Sequence, residues 1–88
     1  MTSFRYVRLP DFHSLQEAQD YIRYEQDNAH RQIVVYEARG VFVGECKNIP
    51  REYGFAEANT EHEARNRVMK GVDDYFSDMF AELRRSLC

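Results

Sequence analysis

The chain has 88 residues, a net charge of −3 and 43 % hydrophobic residues, with no block of basic residues. That size makes one domain with a modest core, in which about 60–65 % of the unfolded surface is buried. The acidic balance argues against a phosphate-binding nucleic-acid protein and favours a protein partner, a basic one included. Charged residues at 31 %, with six Tyr and six Phe, place the chain among globular rather than disordered proteins.

Phe4 to Leu9 is short, rich in β-formers and closed by Pro10, which predicts a first strand. Ser14 with Glu17 forms a capping box that opens a helix to about Asn28. Its apolar face is narrow, with Leu15, Ala18, Ile22 and Ala29 and with Tyr21 beside it, so one side should lie against the core. Ile33-Val34-Val35-Tyr36 and Val41-Phe42-Val43-Gly44-Glu45-Cys46 flank Arg39-Gly40 and predict an antiparallel hairpin. Gly44 inside the second run predicts a bulge or a close approach by another backbone. Asn48 to Arg51 reads as a loop, and Tyr53 to Ala58 as a third strand.

A second capping box, Thr60 with Glu63, opens the longest periodic stretch. Apolar residues recur in steps of three and four from Ala64 to Leu87, the period of one helical face. Glu61 with Arg65 and Glu63 with Arg67 are favourable i,i+4 pairs, and Gly71 is the one weak helical position. The expected fold is therefore α+β, in the order β-α-β-β-β-α. Its antiparallel sheet of three to four strands packs on the long C-terminal helix.

A helix from Glu61 to Ser86 would extend about 39 Å, more than the ~30 Å diameter of a compact domain this size. The helix should break near Gly71, or its last turns should project beyond the sheet. In the second case Phe76, Phe80, Leu83 and Leu87 would form an apolar patch suited to a homodimer or a partner.

Little in the sequence points to catalysis. His13, His30 and His62 lie far apart, without metal-ligand spacing, so neither metal nor cofactor is expected. Cys46 falls in a likely sheet, and Cys88 is the last residue; both are expected to be reduced thiols. Ser14 and Thr60 are caps rather than nucleophiles, and Asp73-Asp74 point about 100° apart on a solvated helix face. Phe42, Phe55, Phe76 and Phe80 fall on core-facing periods. No catalytic residue is expected. No run is long enough to span a membrane, and the first residues, Met1-Thr2-Ser3-Phe4-Arg5, hold no apolar segment of the secretory kind. A cytoplasmic protein is the expectation.

From Gln32 to about Met79 the chain resembles the HicB-like antitoxin family. The resemblance rests on the hairpin, Ile49-Pro50, the strand Ala56-Glu57-Ala58, Thr60-Glu61-His62-Glu63-Ala64, and then Val68, Val72 and Tyr75-Phe76. It implies a partial ribonuclease-H-like fold over residues 32–88, with residues 1–31 as an N-terminal extension of a single domain. Pro50-Arg51-Glu52-Tyr53-Gly54 departs from the family's Pro-Gly-Cys-like loop. The family's further strand, expected after the long helix, and its DNA-binding module find no match in these residues, and the strand Phe4–Leu9 is the candidate to fill the missing sheet position. The resemblance implies a non-enzymatic protein that covers a small basic ribonuclease toxin. The sheet edge and hairpin would meet the toxin's basic residues through Glu37, Glu45, Glu52 and Glu57. The alternatives are a phage- or prophage-encoded inhibitor of a host nucleic-acid-processing complex, a nucleic-acid-binding regulatory domain, and a structural domain without a ligand.

Overall fold

The computed structural model describes residues 14–87, with side chains to Arg85. The expected strand Phe4–Leu9 therefore lies outside the described residues, as do His13, Cys88 and the side chain of Leu87. The elements in chain order are α1 (Leu15–Arg31), β1 (Val34–Ala38), β2 (Val41–Glu45), α2 (Arg51–Gly54), β3 (Phe55–Ala58) and α3 (Glu61–Leu87). The α+β class holds: an antiparallel sheet of order β1-β2-β3 packs on the long C-terminal helix.

Both predicted caps form. Ser14 Oγ accepts from the Glu17 N–H at 3.2 Å, and Thr60 Oγ1 from the Glu63 N–H at 3.1 Å. α1 runs three residues past its expected end, because Ala29 continues the buried face and the last turn carries His30 and Arg31, which suit the negative helix end. Arg39 and Gly40 have φ of 55° and 83°. Positive φ at both central positions makes a primed hairpin turn, whose twist matches that of the strands. Of the two i,i+4 pairs expected early in α3, Glu63–Arg67 forms at 3.5 Å, and Glu61–Arg65 does not.

The third strand is shorter than expected. Pro50 starts one helical turn, with the Tyr53 and Gly54 N–H groups donating to its carbonyl, so the strand begins at Phe55. Gly44 lies in an unbroken register with both neighbouring strands, so it is a close approach rather than a bulge. A Cβ there would fall 2.8 Å from the Ala64 carbonyl oxygen of α3.

α3 does not break at Gly71. Its 27 residues form one helix, the case in which its C-terminal half was expected to project beyond the sheet. That half is nevertheless covered. α1 lies along it, and Ala18, Ile22 and Ala29 join Val72, Tyr75, Phe76, Met79 and Leu83 in one buried cluster. The expected apolar interface is thereby corrected: Phe76 and Leu83 are core residues, 5 % and 0 % exposed, and Phe80 is half-buried against the same cluster. The narrow stripe of α1 was enough to cover them.

Candidate protein-binding face

Alternation along the strands divides the sheet into two faces. Gly44 faces α3, and so do its register partners Val35 and Ala56 and the next row, Glu37, Phe42 and Ala58. The opposite face carries Val34, Glu45 and Phe55, then Tyr36, Val43 and Glu57, then Ala38 and Val41. Val34 is 50 % exposed there and Tyr36 43 %.

Two of the four glutamates singled out in the sequence meet on this face. Glu45 and Glu57 both act on the Tyr36 phenol. Partial burial, then the charge and hydrogen bond of Glu45, raise the Tyr36 pKa above the usual tyrosine value; Arg51 opposes this and Glu57 adds to it. Arg51 itself sits 3.9 Å from the centre of the Phe55 ring, a cation–π contact. Among the described residues neither Glu45 nor Glu57 forms an ion pair. Glu37 is on the other face, toward the hairpin turn, and Glu52 is exposed on α2. The expected set of four is thus split, since one-residue steps along a strand reverse the face.

Phe55 also departs from expectation. It stands on the outer face beneath Arg51 rather than in the core. The turn of helix ahead of it fixes that parity, and no hydrophobic pattern signals the turn. Sequence reasoning also missed Tyr36, which the β1–β2 register sets beside Val43, and Arg51, which α2 sets over Phe55.

Elsewhere the chemistry is structural. Cys46 is buried just past β2, and its thiol donates to the Ala29 carbonyl at 3.4 Å. Burial pushes its pKa up, against a smaller lowering by the Asn48 backbone, which is the opposite of what a nucleophile needs. Asp73 accepts from Gln26 Nε2 at 2.6 Å and lies 2.9 Å from His30 Nε2, tying α1 to α3. Asp74 pairs with Lys70 instead, at 3.1 Å. His62 Nε2 lies 3.1 Å from Asn66 Nδ2 on its own helix. Among the described residues no group of three or more His, Cys, Asp or Glu could hold a metal, and no helix is long and apolar enough to cross a membrane. The chain matches no protein-family model, no curated protein and no solved structure.

Proposed function

We propose that this chain is a non-enzymatic cytoplasmic protein-binding module, acting as a HicB-like antitoxin would. It occludes a basic site on a small ribonuclease-type partner. The outer face of the sheet is the contact surface, with Glu45 and Glu57 receiving Lys or Arg side chains around Tyr36. The observation that carries this reading is the convergence of two carboxylates without ion-pair partners on one half-exposed tyrosine. Apolar Val34, Val41 and Phe55 lie on the same face and add apolar contact surface around them.

The test is direct. A small basic ribonuclease-like protein encoded beside this chain is titrated with it, and cleavage of RNA is followed. Stoichiometric loss of nuclease activity is expected, and the double variant Glu45→Lys, Glu57→Lys should weaken binding by about a hundredfold. A neighbour that neither binds nor is inhibited would sink the antitoxin reading. Inhibition that survives the double variant would move the contact to another face. If the binding partner is instead a host nucleic-acid-processing enzyme, the same face serves the runner-up reading, a phage-type inhibitor.

A further inference from the structure

We propose that Arg51 is a placeholder: its guanidinium lies on the Phe55 ring until an arginine of the basic partner takes that seat and displaces it. The placeholder rests on the function proposed for this face, and adds to it which cation the face prefers and what covers the seat beforehand.

Local backbone structure sets the seat. Pro50 opens the single turn α2, so that Arg51 comes first in the turn and Phe55, four residues on, starts β3. The guanidinium carbon stands 3.9 Å from the ring centre, a contact between a cation and the face of the ring. The register places Glu45 directly opposite Phe55 on the outer face. Beside the ring the surface dips into a cleft walled by Glu45, Ile49 and Gly54, with Lys47 on its exposed rim.

Arg51 holds this seat weakly. Among the described residues its guanidinium forms no ion pair, although Glu45 stands across from the ring it covers. The cause is its tether: Arg51 reaches Phe55 from its own turn of chain, and anchored there it covers the ring without meeting a carboxylate. A cation on an aromatic face at an exposed site is weakly held.

An arginine arriving from outside has no such tether. It can stack on the ring and at the same time turn its fork of N–H donors to Glu45, which a planar guanidinium does and an ammonium does not. Glu45 already receives the Tyr36 phenol, and a carboxylate has acceptor sites left for a guanidinium. With Arg51 moved away, two carboxylates on this face, Glu45 and Glu57, outnumber the one cation Lys47. The Glu45 contact is thus what an incoming arginine makes and Arg51 does not, and displacement requires such a difference.

Nuclear magnetic resonance on the full chain, titrated with oligoarginine and with oligolysine of equal length, tests the displacement. Without peptide, the Arg51 side-chain protons should be shifted upfield by the Phe55 ring. At saturation with oligoarginine they should return to open-chain positions, and oligoarginine should bind about threefold more tightly than oligolysine. Phe55→Leu should abolish that preference. Arg51→Gln should raise the oligoarginine affinity about threefold beyond the gain from Lys47→Gln, because both remove one positive charge and only the first clears the ring. Circular dichroism confirms that the variants are folded. Arg51 protons that stay shifted at saturation, equal affinity for the two peptides, equal gains from Arg51→Gln and Lys47→Gln, or no binding of either peptide would each overturn the placeholder. The antitoxin reading fails separately, in the nuclease titration: displacement by oligoarginine together with an uninhibited neighbouring nuclease keeps the arginine seat and removes the antitoxin.

Discussion

The carbonyl oxygen of Tyr53 occupies the place where a side chain on Gly71 would begin: a Cβ there would lie 1.9 Å from it. The rest of Tyr53 fastens α2 to α3. Its hydroxyl donates to Asp78 Oδ2 at 2.9 Å, and its ring packs edge-on against Tyr75, 5.1 Å between centres. Gly71→Ala should therefore destabilise the protein, although alanine is favoured in a helix by about 1 kcal/mol. The backbone of α2 has to move, and overpacking of this kind costs about 1–3 kcal/mol or more. Urea unfolding is expected to show a net loss of about 2 kcal/mol. Unchanged or higher stability would mean that α2 yields freely.

Leu83→Ala separates a core role from an interface role. Leu83 is fully buried among residues of its own chain. Its truncation should cost about 2–5 kcal/mol of unfolding free energy and leave the mass in solution the same as that of the unaltered chain. A variant of near-native stability with altered mass would restore the α3 patch as an association surface.

How far the sequence foretold this arrangement can be seen residue by residue. Ser14, Thr60 and Arg39-Gly40 act locally, through caps and a turn, so the starts of α1 and α3 and the hairpin were readable. The burial of Phe76 and Leu83 was not, because it depends on α1 lying down on α3 from far away in the chain. The tie between Asp73, Gln26 and His30 is of the same kind. α2 was hidden for another reason: a single turn at Arg51–Gly54 has no period to detect, yet it sets which face Phe55 takes. That one turn also decides that Glu57 shares a face with Tyr36.

Asp73→Ala should loosen α1 more than it loosens the fold. The groups involved are part-exposed, with side chains 30 % exposed for His30 and 50 % for Asp73, so solvent screens the pair. A loss of about 0.5–1 kcal/mol is expected. Hydrogen exchange should show it as faster amide exchange in the last turns of α1, with the sheet unaffected. Equal acceleration everywhere would mean that α1 does not open separately.

Arg39 holds a left-handed backbone, φ 55°, that an ordinary side chain disfavours. Asparagine is the residue this first turn position prefers, as in the Asn-Gly hairpin. Arg39→Asn should raise stability by about 0.5–1 kcal/mol, visible as a higher urea midpoint at unchanged slope. A lower midpoint would show that the Arg39 side chain contributes more than its backbone strain costs.

Cys46 and Tyr36 give the fold an alkaline limit. Both groups have raised pKa values, chiefly through burial, so the folded protein disfavours thiolate and phenolate. The unfolded chain ionises its thiol near about 8.5 and its phenol near about 10. Their contributions are thus complete below those values and are lost as pH rises through the folded-state pKa of each. Stability measured by urea should be level from neutral pH to about 8 and fall above about 9. In a Cys88→Ser chain, the Cys46 thiol should resist a disulfide reagent until denaturant unfolds the protein, and its labelling should follow the unfolding curve. Rapid labelling of the native protein at neutral pH would refute the buried, protonated thiol, and with it the assignment of Cys46 to packing between β2 and α1.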